Sequence, residues 1–195
     1  MAIRDTGTEQ LIKDTAKRIF FTAGKLHATT QDIADAAGIN RTLVHYYFRS
    51  RDILFKQVFE EALLNINERM DRIFETGELF KTKIEKLIDV FLQEGIQYPY
   101  RELFVITELN GNSNATAGTD EKHKMQVFLN QIQEEMQAGN IKNMDPRHFV
   151  MNLFALMAYP LIAGSLNKNI FNLGNDEYLA LMHERKAVIL QTIYA

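Results

Sequence analysis

Apolar residues recur at helical spacing along nearly the whole chain, and no stretch alternates as a strand does. Leu11, Ile12, Ala16, Ile19 and Phe20 predict a first helix over 8–24, with Thr8 as its cap and Gly24 as its stop. Gly38 divides the next stretch in two. Before it, Ile33, Ala34 and Ala37 share a face; after it, Val44 and Phe48 do. A side-chain oxygen at Thr29 or Thr30 can cap the first of these helices, and one at Asn40 the second. Ser50 then caps a long helix, with Asp52 in its first turn. Phe55, Phe59, Leu63, Ile66, Met70 and Ile73 run down one side of it as far as Glu75, and Gly77 ends it.

The second half is predicted to be helical too. Ile84, Leu87, Ile88, Phe91 and Leu92 mark a helix over 80–97. Pro99 opens the next, to Asn110, and the Asn/Gly-rich segment 111–118 is a loop. Met125, Phe128, Leu129, Ile132 and Met136 mark a helix over 120–138, closed by Gly139. Further helices are predicted over 146–167 and 175–194. The helix over 146–167 is the most apolar, with a kink expected at Pro160, which has no N–H. A helix apolar nearly all round is covered on most sides. In so small a chain a second copy is the natural cover, with Phe154, Ala155, Ala158, Leu161, Ile162, Met182, Ile189 and Ile193 as interface candidates. Burial inside one protomer is the alternative.

Composition narrows the class. With 46% hydrophobic residues in 195, the chain has enough apolar side chains for a core. There is no cysteine, which rules out disulfides and thiolate metal sites and fits a cytoplasmic protein. No apolar run reaches the length of a membrane span, so no membrane partner is expected. The net charge of −3 is unevenly placed: residues 1–51 carry eight Lys and Arg against five acids, and the remainder 14 against 20. Attraction for phosphate is therefore confined to the N-terminal end.

Two short helices about a tight Gly turn make a helix-turn-helix, whose second helix fits a DNA major groove. Its polar face carries Arg41, Thr42, His45 and Tyr46, side chains suited to base edges. Thr30, Tyr47, Arg49 and Arg51 are candidate phosphate contacts, with a core aromatic as the other reading of Tyr47. Asn40 belongs to the same surface. The pattern T-T-x-x-I-A-x-x-A-G-I-N, six residues, then Y-F-x-S-R-x-x-L, from Thr29 to Leu54, resembles the DNA-binding segment of the TetR (tetracycline-repressor-like) family of bacterial transcription regulators. With its flanking helices the resemblance spans roughly the first 75 residues. The chain departs from the family pattern at Thr42, where a small residue is usual, and at His45, where an aromatic is.

The resemblance implies an all-α protein. Residues 1–50 form a three-helix DNA-binding domain, and a long helix joins it to a helical ligand-sensing and dimerisation domain over 51–195. It places Leu43 at bases or sugar. It also implies a homodimer on a palindromic double-stranded operator, released when a small molecule changes the separation of the two reading heads. Activation in place of repression also occurs in the family. Phe91, Phe104, Glu108, Asn110, His123, Met125, Phe128 and Met157 are candidate effector contacts, with plain core packing as the other reading. None of the five histidines has metal-ligand spacing, no nucleophile or phosphate-loop motif is present, and no cofactor or enzymatic activity is expected. A helical protein-interaction module and an all-helical enzyme are the rival classes.

Overall fold

The computed structural model describes residues 6–111 and 119–194, and all regular structure among them is helical. Helix α1 spans Thr6–Lys17 and continues as a π-helical turn, Arg18–Thr22. Thr8 lies inside this helix rather than capping it. Then follow α2 (Thr30–Ala37), α3 (Arg41–Phe48), α4 (Arg51–Phe74), α5 (Phe80–Gln97) and α6 (Arg101–Gly111). The C-terminal part adds α7 (Thr119–Gln137), α8 (Pro146–Ile162), α9 (Gly164–Ile170) and α10 (Asn175–Ile193). Of the loop expected at 111–118, Gly111 closes α6 and the rest lies outside the described residues.

Local signals set the helix-turn-helix. Thr29 caps α2, and its hydroxyl and backbone N–H both reach the Asp32 carboxylate at 2.7 Å, so two free donors are satisfied at once. Gly38 has φ +66°, and the N–H of Ile39 returns to the Ala34 carbonyl, closing the helix with a left-handed residue that favours glycine. The Asn40 side chain accepts from the Thr42 N–H at 2.8 Å and starts α3. Ser50 accepts from the Ile53 N–H and starts α4.

Two cores form. The first gathers Ile12, Ala16, Phe20, Ile33, Val44 and Phe48 with Leu54, Val58 and Ala62 from α4 and Phe104 and Val105 from α6. It therefore reaches well past residue 50. The innermost line of α4 is Leu54, Val58 and Ala62; Phe55, Phe59, Leu63 and Ile66 are half-buried beside it. The second core is built from α5, α7, α8 and α10, around Ile84, Ile88, Ile132, Phe149, Leu153 and Ile189, and takes Ile73 from the far end of α4. Helix α4 thus belongs to both.

The single helix expected over 146–167 is broken into α8 and α9, which meet at 71°. Pro160 lies inside α8, two residues before its end. Its missing N–H leaves the Leu156 carbonyl, one turn earlier, without its helical donor. Arg185 of α10 supplies one instead, at 2.9 Å, and the Tyr178 hydroxyl donates to the Pro160 carbonyl at 2.5 Å. The backbone bends where α10 offers replacement partners. No single helix among the described residues is long and apolar enough to cross a membrane.

Candidate DNA-reading face and effector cleft

The packing of α3 sorts its side chains into two sets. Val44, Tyr47 and Phe48 face the first core. Arg41, Thr42, Leu43, His45 and Tyr46 face outward, and Tyr46 is 64% exposed. Tyr47 is 8% exposed, with its ring edge-on to that of Tyr46, so the core reading holds for its ring. Thr30 is buried, and its hydroxyl accepts from the Arg41 Nε at 3.2 Å, which steers Arg41 rather than presenting Thr30 to a phosphate. Arg49 is exposed in a left-handed conformation, φ +58°, and its carbonyl lies 3.0 Å from His45 Nδ1. Asn40 is spent on its cap.

Arg51 is engaged inside the protein. Its Nε donates to the Ala28 carbonyl at 3.0 Å, one terminal nitrogen donates to the Leu26 carbonyl, and the guanidinium lies over the Phe55 ring. It clips the loop before α2 to the start of α4. Spacing along a helix gives no sign of such a bond across 23 and 25 residues. Lys13 and Lys17 of α1 similarly reach Glu61 of α4, at 2.6 and 2.7 Å. Partial burial raises the Glu61 pKa, but the two lysines outweigh it and hold the carboxyl below its usual range.

Helix α6 joins this unit to the rest. The Tyr100 N–H bonds to the Phe21 carbonyl at 2.9 Å, and the Tyr100 ring lies so close to Gly24 that a Cβ there would meet it at 2.9 Å. Next to this joint, Arg69 of α4 pairs with Glu94 of α5, and Arg101 of α6 bonds both Glu94 (2.5 Å) and Glu102 (2.6 Å). Arg101 and Glu102 are buried, so each charge depends on its partner. Desolvation and the neighbouring Arg101 charge lower the Arg69 pKa.

A cleft of about 280 Å³ opens between α4 and α7. Met70 and Phe74 from α4 and Met125, Val127 and Phe128 from α7 form its apolar wall. Of the effector candidates, His123, Met125 and Phe128 line it. Phe104 is buried in the first core, within 5.7 Å of Phe20, Phe21 and Phe55 ring to ring. Met157 is buried in the second, and Phe91 packs edge-on against Phe154 at 6.1 Å. Neither Glu108 nor Asn110 borders the cleft. In the sequence Met70 belongs to the ordinary apolar stripe of a long helix, which gives no sign of the α4 side of this cleft.

The expected interface residues also divide. Leu161, Met182, Ile189 and Ile193 are buried inside the protomer, and Phe154, Ala158 and Ile162 are half-buried. The outward apolar side of α8 and α10 is instead Met151, Ala155 and Tyr159 with Leu181 and Val188, and Tyr159 is 59% exposed. Only Ala155 was expected there. The described residues hold no group of three or more His, Asp or Glu placed to share a metal ion.

Residues 12–58 match the family model of bacterial regulatory proteins, tetR family. The matched segment is the helix-turn-helix with the helices that flank it, and in it the chain resembles the TetR family. The HTH-type transcriptional regulator AcrR of Shigella flexneri is 34% identical over 61 residues, which is 31% of this chain and 28% of that regulator. The match thus spans less than a third of that curated relative's length. Likeness of fold to solved structures extends over the whole chain at much lower identity. The ketosteroid transcriptional regulator of Mycobacterium tuberculosis superposes with a TM-score of 0.69 at 15% identity, covering 99% of this chain and 97% of that one. The transcriptional regulator FadR from Bacillus subtilis, solved in complex with stearoyl-CoA, gives 0.59 at 16% identity, covering 95% and 99%. A TetR-family regulator from Marinobacter aquaeolei gives 0.59 at 16%, covering 97% and 98%. At these identities the likeness is one of fold.

Proposed function

We propose that this protein is a cytoplasmic transcriptional regulator of the TetR family that binds a palindromic operator as a homodimer and releases it when a small molecule binds. It catalyses no reaction. The observation that carries the reading is α3: one face buried by Val44 and Phe48, the other exposing Arg41, Thr42, His45 and Tyr46, on the positively balanced end of the chain. Arg41 and Tyr46 read bases; Arg49 holds phosphate. Residues 1–50 carry the DNA contacts, while 51–195 dimerise and sense. Two copies pair through the exposed apolar side of α8 and α10, because a patch holding Met151, Tyr159, Leu181 and Val188 is costly to leave in water.

The effector site in this reading is the α4–α7 cleft, since one of its walls is the helix that begins at the reading head. A ligand there acts only by binding two arrangements of α4 with different affinity. Selection of bound sequences from a random DNA pool, with sedimentation of the protein alone and on the selected site, tests the proposal. Two-fold symmetric sites bound by two chains are expected. Enrichment of no sequence, or a protein that stays monomeric at micromolar concentration on and off DNA, overturns it.

A further inference from the structure

The charges around the α4–α7 cleft are not balanced. Asp71 and Glu75 stand on the α4 side, Glu121 and Lys124 on the α7 side. Lys124 is the one Lys or Arg among the residues lining the cleft. Its ammonium group is already shared between Asp71 and Asp120, at 2.9 Å each. Those two carboxylates hold it protonated well above the usual lysine range. An arriving anion therefore finds no unpaired Lys or Arg in this lining, and it finds Glu75 and Glu121 against it. An arriving cation finds those two carboxylates, the rings of Phe74 and Phe128, and the methionines Met70 and Met125.

We propose that the cleft takes a lipophilic organic cation, an ammonium or similar head on an apolar body, whose charge displaces Lys124 from Asp71. The inference rests on the effector reading above and adds the ligand's class and its mode of action. The Lys124–Asp71 pair spans 53 residues of sequence and ties α7 to α4 across the cleft. A cation seated at Asp71 takes over that carboxylate, and the tie between the wall and the helix leading to the reading head is lost. An anion of the same shape lacks this exchange. Mass action then links ligand and operator: what weakens the tie in one arrangement of α4 shifts its population.

The test uses two probes with the same apolar chain and opposite heads, decyltrimethylammonium and decanoate, each below its micelle-forming concentration. The chain has no tryptophan, so Met125→Trp, at a cleft position 40% exposed, supplies a single fluorescent reporter. Titration calorimetry on the unsubstituted chain checks that the reporter has not altered the site. The cation should bind at least about fivefold more tightly than decanoate, the factor expected of partly exposed charge pairs at their stronger end. Asp71→Asn should weaken the cation by about the same factor, and Lys124→Gln, which frees Asp71, should strengthen it. The cation and not the anion should release selected DNA.

Decanoate binding as tightly as the cation and releasing DNA would overturn the proposed class and leave the effector reading standing. The same holds if Asp71→Asn, folded by circular dichroism, binds the cation unchanged. If neither probe binds while operator binding persists, the cleft is not the effector site and the inference fails there. If no DNA is bound in any state, the regulator reading fails, and the preference between probes, read by fluorescence alone, still stands or falls by itself.

Discussion

Arg51→Ala separates a residue that holds the fold from one that holds DNA. Its guanidinium makes two hydrogen bonds to backbone carbonyls, at Ala28 and Leu26, and lies 4.9 Å from the Phe55 ring centroid. A hydrogen bond to a charged group contributes about 1.5–3 kcal/mol when water is excluded. The side chain is 31% exposed, and water takes over part of the bonding once it is gone. A loss of about 2–3 kcal/mol in total is expected on that basis. For a chain of this size each kcal/mol moves the midpoint by about 2–4 °C, so the unit built on the first core should melt roughly 4–12 °C lower. Each phosphate contact adds about 0.9 to the slope of log affinity against log salt. Because Arg51 is committed to the loop, that slope should not change per half-site at temperatures where the variant is folded. Scanning calorimetry and a salt titration on selected DNA measure the two quantities. Exposed Arg49 is the control, and Arg49→Ala should flatten the slope while melting close to the parent. An Arg51→Ala protein that melts like the parent but loses about 0.9 of slope per half-site would refute the clip and restore the residue to the phosphate backbone.

Other outcomes follow from the same geometry. Phe48→Ala should cost about 3–5 kcal/mol in a denaturant titration, since the ring is 1% exposed, whereas Tyr46→Ala should melt normally and lose specific DNA binding; equal destabilisation would mean α3 is rotated. Gly95→Ala, which in an open helix would stabilise, should instead destabilise by about 1–3 kcal/mol, because the new Cβ would stand 2.0 Å from Leu161 Cδ1. Leu161→Ala in the same chain should recover part of that loss; no recovery would place the strain elsewhere. The Asp32 carboxyl is held below its usual value by the Thr29 backbone N–H and then by its hydroxyl. Its folded pKa lies under its unfolded one, so the cap's contribution is full above the unfolded value, about 4, and is lost as pH falls through the folded value. Asp32→Asn should flatten that acid limb in thermal scans from pH 6 to pH 3, and an unchanged limb would remove Asp32 from it.

What the sequence by itself determined is local. Helical periodicity, the caps at Thr29, Asn40 and Ser50, and the left-handed turn at Gly38 each act within one or two turns of chain, so the helix-turn-helix and nearly every helix boundary were legible. The sorting of α3 into a buried and an exposed face followed from the spacing of Val44 and Phe48 alone. Tertiary structure decided how faces pair, because an apolar stripe says that it is covered and not by what. Phe104, apolar enough for an effector pocket, is used by the first core. Leu161, Met182, Ile189 and Ile193, apolar enough for a partner, are consumed within the protomer and leave Met151, Tyr159, Leu181 and Val188 outside. Pro160, near the end of α8, is visible in the sequence. Arg185 and Tyr178 become donors to the Leu156 and Pro160 carbonyls only once α10 crosses α8. Arg51 shows the same limit: its charge and position at a helix start suggested an anion, and only the return of the loop before α2 put two carbonyls within its reach.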